Sequence, residues 1–368
     1  MKMQVRIFTF VFVFFLLVLS TYAQVVNAEY ITDLSTEVSE SSALCIINHK
    51  LFTLNDSGGN AEVYELDTVS GNVIRTVVVD NAVNVDWEAM AVNQTHLFIG
   101  DFGNNQGSRT NLSIYKIPLD DFLSSDTVMA SQINFAYQEQ EDFSNQMFQT
   151  NFDAEAMIAI SDSVYVFTKN WGDGNTNLYA IPVEEGSYAV SAGLQFNAQS
   201  LVTDAYFNAS DQTLSLLSYN FSQVFLSIFS VENELINFDN LEESFELDVS
   251  SSIQAEGLSM TGENYWVSAE QFSSFDACLY KISDFQTQDM RVLTNDYGFK
   301  VYPNPSFGAV NFNNCAAGLI RIYNSKGDCY LTLNPQECSE VFLPKGFYIV
   351  YYQNLKEGIN SSEKLIVL

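Results

Sequence analysis

The sequence predicts an all-β protein, in which a β-propeller of five or six blades is followed by a small immunoglobulin-like β-sandwich. Three observations lead to this prediction. First, 47% of the 368 residues are hydrophobic and 14% are aromatic, a composition that favours strands over helices. Second, one three-part pattern recurs five times in the middle of the chain. Third, an unlike unit with its own glycine and proline turns follows the last repeat.

The first 23 residues are typical of a secretory signal peptide. Lys2 and Arg6 give a positive start, residues 7–19 are an apolar run, and small side chains occupy positions 21 and 23. The apolar run is shorter than the roughly 20 residues that span a bilayer, and no longer run follows. We therefore expect a mature chain without an integral membrane segment. Its expected location is outside the cell or on the outer cell surface, reached through the periplasm.

The charge of the chain is strongly unbalanced. Lysine and arginine number 15 and aspartate and glutamate 45, so the formal net charge is −30. Such a surface repels phosphate backbones, which argues against nucleic acid as a partner. It attracts cations, and it also keeps an exported protein soluble. Composition leaves a specific role for cations and simple solubility both open.

The repeats occupy the segment from residue 24 to residue 296. Each repeat starts at an acidic residue and reaches an aromatic residue of its third apolar run about 25 residues later. Repeats of about 50 residues with three or four strands have the size of propeller blades. We expect residues 30–34 to close the ring by joining the last blade, with an open β-sandwich as the alternative. The five leading acids are Glu40, Glu88, Glu155, Asp204 and Glu256.

One mouth of the propeller channel is the candidate binding site. In a blade the first strand begins, and the second strand ends, on the same face of the ring. Polar residues at these two points of each repeat should therefore converge on one mouth, which is where ligands are expected. The candidate ligand-binding residues are Glu40, Asp56, Glu88, Asp101, Glu155, Lys169, Trp171, Asp204, Glu256 and Glu270.

The acidic residues of this mouth allow two roles. Carboxylates that face one another can hold Ca²⁺, since this ion takes several oxygen ligands, and Glu88, Glu155 and Glu256 are the candidate ligands. Crowded carboxylates also raise each other's pKa, which suits acid–base chemistry. Alternatively, a carboxylate at the start of a strand accepts backbone N–H groups and locks neighbouring blades together. The sequence leaves both roles open.

Histidine and cysteine limit the chemistry that can be expected. His49 and His96 precede second strands, which places them at the opposite end of the channel and argues against a Ser-His-Asp triad at the acidic mouth. No glycine-rich phosphate loop or HExxH motif is present. The five cysteines form no CxxC pair, and one disulfide is expected among Cys315, Cys329 and Cys338.

Three stretches of the repeat region resemble secreted bacterial propellers. They are residues 55–58, 86–91 and 100–105, which read NDSG, DWEAMA and GDFGNN. Some of the proteins they resemble are calcium-dependent phytase-like or lactonase-like propellers. The resemblance implies a calcium-dependent hydrolase of phosphoesters or lactones as one function. A binding module for a glycan, a peptide or a small molecule is the other, and whether the chain is an enzyme stays open.

Residues 297–368 resemble a known export module. The segment opens with YPNP at 302–305, continues with GFYIV at 346–350 and ends with KLIVL at 364–368. These motifs, in this order, resemble the type A C-terminal sorting domain of the type IX secretion system. The resemblance implies passage across an outer membrane by the type IX machinery, as a partner, followed by release or attachment at the surface.

Overall fold

The computed structural model describes residues 24–220, 222–249, 253–273, 275–283, 300–313, 318–324, 329–333, 341–354 and 360–367. The chain divides into two compact units, Met1–Asp284 and Phe285–Leu368. The predicted signal peptide and the predicted disulfide lie outside the described residues. Within those residues, no helix is both long enough and apolar enough to cross a membrane.

The described residues of unit 1 form five β-sheets, which we call blades 1 to 5. The described part of the chain starts with β1 (Gln24–Asn27) and β2 (Glu29–Asp33), which pair with strands near the end of the unit's sequence. Blade 1 is formed by β3 (Ser41–Ile47), β4 (Lys50–Asn55), β5 (Glu62–Leu66) and β6 (Val73–Val79). The next segment contains β7 (Trp87–Val92), β8 (His96–Asp101), β9 (Leu112–Pro118), α1 (Leu119–Ser124), β10 (Thr127–Val128) and β11 (Ser131–Tyr137). Of these, β7, β8, β9 and β11 form blade 2.

The remaining blades follow in order. The blade 3 segment contains β12 (Ala154–Ile160), β13 (Ser163–Thr168), β14 (Thr176–Pro182), β15 (Gly186–Val190) and β16 (Leu194–Phe196). Blade 4 contains β17 (Leu201–Asn208), β18 (Thr213–Tyr219), β19 (Val224–Ser230) and β20 (Leu241–Asp248). Blade 5 contains β21 (Gln254–Thr261), β22 (Asn264–Glu270) and β23 (Cys278–Ile282), with β2 as its outer strand.

The five blades form a closed ring. Each first strand, β3, β7, β12, β17 or β21, contacts the first strands of both neighbouring blades, and β21 contacts β3. Ring closure depends on β2, which pairs antiparallel with β23, as predicted for residues 30–34. The expected all-β propeller fold is therefore confirmed, with five blades in the described part of unit 1.

The first strands are buried because they surround the channel. Small residues allow five strands to approach one axis, and Ala43, Ala89, Ala156 and Gly257 occupy equivalent positions. At Gly257 an added Cβ would lie 2.3 Å from the Ser268 hydroxyl and 2.8 Å from Leu44. A side chain there would force neighbouring strands apart.

The outer edges of three blades are covered by the following blade. β10 pairs in parallel with β6, β15 pairs with β11, and β1 pairs with β20. Each covering strand immediately precedes the fourth strand of the next blade. This arrangement satisfies backbone groups on the exposed edges and joins neighbouring blades, which also limits unwanted edge-to-edge pairing.

Unit 2 is a small β-sandwich. Its strands are β24 (Lys300–Tyr302), β25 (Ala309–Asn313), β26 (Gly318–Asn324), β27 (Cys329–Leu333), β28 (Val341–Phe342), β29 (Gly346–Asn354) and β30 (Asn360–Val367). One sheet has the order β24-β25-β28 and the other β27-β26-β29-β30. Val310 from the first sheet and Ile320, Ile322 and Val350 from the second share one buried core.

Candidate functional site

A β-bulge at the start of every first strand builds one mouth of the channel. In each blade the pairing register of the first and second strands slips by one residue, and the extra residue is left unpaired. A bulge of this kind re-aims a side chain. The bulged residues are Ser42, Glu88, Glu155, Thr203 and Glu256.

The ends of the second strands contribute a second set of side chains. In each blade, the residue just before the bulge pairs with a residue of the second strand. The next residue along the second strand is the one that contributes. From blade 1 to blade 5 these residues are Asp56, Phe102, Lys169, Tyr219 and Glu270. Four residues of this set and four of the bulged residues line a cavity of about 170 Å³, which we call the acidic pocket, whereas Phe102 and Thr203 do not line it. Its lining residues are Ser42, Asp56, Glu88, Asn105, Phe148, Glu155, Lys169, Trp171, Tyr219, Gln254, Glu256 and Glu270.

The structure brings together most of the candidate residues and separates three of them. Glu40 lies two residues before the bulge of blade 1, is exposed and does not line the pocket. Asp101 lies one position before Phe102, and Asp204 lies one position after its bulge. In a strand, a shift of one residue turns the side chain to the other face. The predicted ring of five acids is therefore three glutamates, with Ser42 and Thr203 at the equivalent positions.

Ser42 and Thr203 connect blades instead of presenting a charge. The Ser42 hydroxyl donates to the Trp87 carbonyl over 3.0 Å. The Thr203 hydroxyl makes the equivalent bond to the Ala255 carbonyl over 2.6 Å. In both cases the acceptor is the residue before the bulge of the next blade, so two of the five positions lock neighbouring blades together.

Asp204 closes the centre of the channel below the acidic pocket. Its carboxylate accepts the backbone N–H groups of Ala205 (2.8 Å) and Leu258 (2.5 Å), and it also bonds the N–H of Leu44. These three donors belong to blades 4, 5 and 1, so the carboxylate must lie near the axis. Burial raises the pKa of Asp204 well above its ordinary value, while the three donors oppose this shift. Asp204 therefore has the locking role rather than the ligand-facing one.

Asp101 holds the loop that follows the second strand of blade 2. Its carboxylate pairs with Arg109 Nη2 at 2.8 Å and accepts the backbone N–H of Asp86 at 3.1 Å. Arg109 also donates to the Gly103 carbonyl at 2.8 Å and lies 3.9 Å from Asp86. Arg109 is thus bonded to the protein, and it fixes the loop beneath the acidic residues.

Lys169 is the one cationic side chain among the described residues that line the acidic pocket. Its Nζ lies 3.3 Å from Glu155 Oε1 and 3.7 Å from Glu256 Oε1. The same atom lies 5.1 Å from the Trp171 ring centroid and 5.4 Å from that of Tyr219. Burial lowers the pKa of Lys169, but the two carboxylates outweigh this effect and hold the pKa well above its ordinary value. A lysine that stays protonated is not available as a nucleophile.

A second group of carboxyls has no lysine. One oxygen from each of Asp56, Asp86 and Glu88 lies within 4.8 Å of the others. Gly103 makes room for this group, because an added Cβ would lie 2.2 Å from Glu88 and 2.5 Å from Asp86. Of the three predicted calcium ligands, Glu88 belongs to this cluster, whereas Glu155 and Glu256 face Lys169 instead.

Burial and mutual repulsion raise the pKa values of several carboxyls in and beside the pocket, although Arg109 and Lys169 oppose the shifts. Asp56 and Asp86 are hydrogen-bonded through their side chains. Burial, and then the charge of Asp56, raises the pKa of Asp86 to about 7. Burial, and then the charge of Glu256, raises the pKa of Glu270 to about 8. Burial raises the pKa of Glu256 to about 7, although Lys169 opposes this shift. These carboxyls therefore carry less negative charge below pH 7 than above pH 8.

The sequence interpretation missed several residues that build the site. Asp153 is fully buried and accepts a 2.8 Å hydrogen bond from the Trp171 indole, which fixes the position of that ring. Asp86 and Asp153 each stand two residues before a bulged glutamate, and this shared spacing was a detectable signal. Phe148 stacks against Trp171 with ring centroids 4.7 Å apart. It comes from the non-repeating segment of blade 2, so no repeat pointed to it.

Comparisons with known proteins identify no family and give only distant structural similarities. No family model matches the chain, and no curated protein matches it. The exo-β-1,3-galactanase of Phanerochaete chrysosporium is 10% identical with a TM-score of 0.44, over 94% of this chain and 100% of that one. The PQQ-bound aldose sugar dehydrogenase of Streptomyces coelicolor is 8% identical with a TM-score of 0.40, over 69% and 97%.

A third similar structure is PorZ, a surface component of the type IX secretion system of Porphyromonas gingivalis. It is 13% identical with a TM-score of 0.33, over 89% of this chain. The matched region spans only 45% of the PorZ chain. At these identities and scores, none of the three similarities carries an argument about the site or the activity.

Proposed function

We propose that unit 1 is a binding module that works outside the cell and holds a positively charged ligand group in the acidic pocket. The observation that carries this proposal is the imbalance of charge within the pocket. Lys169 neutralises part of the charge of Glu155 and Glu256, whereas Asp56, Glu88 and Glu270 also line the pocket and form no ion pair among the described residues. Asp86 lies beside Asp56 and Glu88, and its one cationic neighbour among the described residues is Arg109, 3.9 Å away. A cation bound there would relieve the repulsion that raises the pKa values of these carboxyls.

The size and walls of the pocket restrict the ligand further. A volume of about 170 Å³ admits one small group and not a whole polymer. Trp171, Phe148 and Tyr219 supply aromatic walls, and aromatic faces attract cations. The ligand we expect is a metal cation, or an amine-bearing part of a glycan, peptide or small molecule. Ca²⁺ is the simplest candidate, since the oxygens of Asp56, Asp86 and Glu88 lie close enough to share one ion.

Calorimetric titration of the mature chain with Ca²⁺ tests this proposal. We expect one saturable site in the wild-type protein, and at least tenfold weaker binding by the double variant Asp56→Asn/Glu88→Gln, which keeps the side-chain shapes. The matched control is Asp120→Asn/Glu184→Gln, which changes two exposed carboxylates outside the pocket. Equal affinity for both double variants, or no binding by the wild type, would contradict the proposal.

The pH dependence of the same titration provides a second check. Asp86 has a pKa of about 7, so it holds a proton at pH 6 and has released it at pH 8. A cation must displace that proton, and metal affinity therefore rises with pH. We expect Ca²⁺ affinity to increase between pH 6 and pH 8, by up to about tenfold per pH unit below pH 7 for each displaced proton.

A calcium-dependent hydrolase is the second candidate function. Glu256 and Glu270 line the pocket with pKa values of about 7 and about 8. Carboxyls with pKa values near neutrality are suited to general acid–base catalysis. Hydrolysis of generic phosphoesters or lactones by the wild type in the presence of Ca²⁺, lost in Glu270→Gln, would favour this candidate over a simple binding module.

We further propose that unit 2 directs export through the type IX machinery. The proposal rests on the YPNP, GFYIV and KLIVL motifs and on a separate compact unit in which GFYIV begins β29. Removal of residues 297–368 should leave the protein in the periplasm of a host that has this system. Normal delivery of the shortened chain to the cell surface would contradict this assignment.

A further inference from the structure

The other end of the channel is a larger cavity of about 730 Å³, which we call the apolar chamber. The second halves of all five first strands form its wall. Each blade contributes an apolar side chain, and these include Leu44, Met90, Ile158, Phe207 and Leu258. The volume lies within the range of small-molecule sites, about 300–1,000 Å³.

The apolar chamber is separate from the acidic pocket. Among the described residues, none lines both cavities. Asp204 lies between them, since its carboxylate binds the backbone N–H groups of Leu44 and Leu258, which are chamber residues. The channel of unit 1 is therefore two chambers of unlike chemistry, and a ligand of one does not reach the other through the axis.

Charged groups of the chamber stand at its rim, and two of them are already engaged. Lys116 Nζ donates to the Val183 carbonyl at 3.0 Å, and Glu234 accepts the Ser161 hydroxyl at 2.6 Å. Burial lowers the pKa of His96, which keeps its ring neutral at pH 7. With Asp162, the rim has two acids and one lysine. It therefore offers no strong preference for a ligand of either charge.

Two polar groups near the inner end of the chamber are hydrogen-bonded within the protein. The Ser259 hydroxyl accepts the Ile46 N–H at 3.0 Å, and the Asp204 carboxyl accepts three backbone N–H groups. A charged ligand group would lose its hydration here, which is unfavourable unless it gains a partner of opposite charge. An apolar ligand would gain favourable free energy from the surface it buries.

We propose that the apolar chamber binds an uncharged, largely apolar small molecule. Its apolar body fills the space between the five first strands. Its hydroxyl or carbonyl groups lie at the rim, where Asn93, His96 and Gln212 supply hydrogen-bonding side chains. This site is distinct from the acidic pocket and does not depend on the function proposed for that pocket.

Fluorescence titration with N-phenyl-1-naphthylamine, an uncharged apolar probe, tests the proposal on the mature chain. We expect saturable binding of one probe per chain. Val92→Trp and Ala159→Phe enlarge two half-buried side chains that line the chamber, and each should weaken binding at least tenfold. Val69→Trp is the matched control, because Val69 is 80% exposed and does not line the chamber. It should bind the probe like the wild type.

Two further measurements keep the outcome decisive. Phe148→Ser removes an exposed aromatic residue of the acidic pocket and should leave probe binding unchanged. The anionic analogue 1-anilinonaphthalene-8-sulfonate should bind at least tenfold more weakly, because its charge has no partner. Circular dichroism shows whether each chamber variant is folded. The probe affinity of a folded chamber variant then tests the proposal. The proposal is overturned by unsaturable wild-type binding, by wild-type affinity in a folded chamber variant, by loss of binding in Phe148→Ser, or by equal affinity for the anion.

Discussion

Lys169 reduces the electrostatic repulsion among the carboxyls of the acidic pocket. Its ammonium lies between Glu155 and Glu256 and against the rings of Trp171 and Tyr219. A buried carboxylate without such a partner would either ionise at high cost or take up a proton. The lysine therefore offsets part of the cost of ionising Glu155 and Glu256, whose pKa values burial still raises above their ordinary values.

Removing that ammonium should be costly. We expect Lys169→Met to lower the free energy of unfolding by about 3–5 kcal/mol at pH 8, the range for breaking a buried ion pair from one side. The matched control is Lys50→Met, which breaks a pair with Glu65 in which the lysine side chain is 50% exposed. That change should cost less than Lys169→Met, because the half-exposed Lys50 leaves its pair partly screened by water, although Glu65 itself is buried. Denaturant unfolding of both variants measures the difference, and equal stabilities would contradict the role given to Lys169.

Residue types at the mouth were predictable, but exact positions were not. The repeat indicated acids at the starts of the first strands, and Glu88, Glu155 and Glu256 are there. The predicted positions of Glu40 and Asp204 were wrong because a bulge adds a residue to each first strand. No residue type in the sequence marks such a bulge. Since side chains alternate along a strand, an error of one position moved Asp204 from the pocket to the channel axis.

At the scale of the elements, the first two strands of the described chain bind the ring at two places. β2 supplies the outer strand of blade 5, and β1 pairs with β20 of blade 4. Ring closure through β2 joins the beginning of the propeller to its end. Because β2 and β23 are distant in sequence, their pairing stabilises the ring as a whole. β1 covers only the outer edge of blade 4.

Truncation separates these two contributions. A chain that begins at Glu29 loses only β1, and we expect its melting temperature to fall by a few degrees, or about 1–2 kcal/mol. A chain that begins at Leu34 loses β2 as well, which opens the ring, and its melting temperature should fall by more than about 10 °C or its cooperative transition should disappear. Calorimetric melting of both chains checks the order. If the longer truncation is no more harmful than the shorter, β2 does not close the ring.

The elements themselves were largely readable from the sequence. Recurring apolar runs predicted the blades, and the five repeats correspond to the five sheets. The covering strands were not readable. β10 lies in the segment that lengthens the interval between the second and third repeats, and β15 lies within a regular repeat but has no counterpart pattern in the others. The final strand of blade 3, β16, is only three residues long, too short for periodicity to reveal.

At the scale of the whole molecule, charge is distributed unevenly along the channel of unit 1. One end gathers carboxyls around a single lysine, and the other is an apolar chamber whose few charges lie at the rim. The net charge of −30 predicted an attraction for cations but not its location. The chamber had no sequence signal, because its wall is formed by the same apolar residues that pack neighbouring blades.

The central claim is that a cation binds within the acidic pocket, and terbium luminescence tests it most directly. Tb³⁺ replaces Ca²⁺ at oxygen sites and emits when a nearby tryptophan is excited. Trp171 lines the pocket, so we expect one saturable luminescent site in the wild type. Trp171→Phe should lower the emission, although Trp87, between Asp86 and Glu88 in the chain, can also transfer energy. Asp56→Asn/Glu88→Gln should lose the binding. Emission that is unchanged in both variants would place the cation elsewhere and contradict the claim.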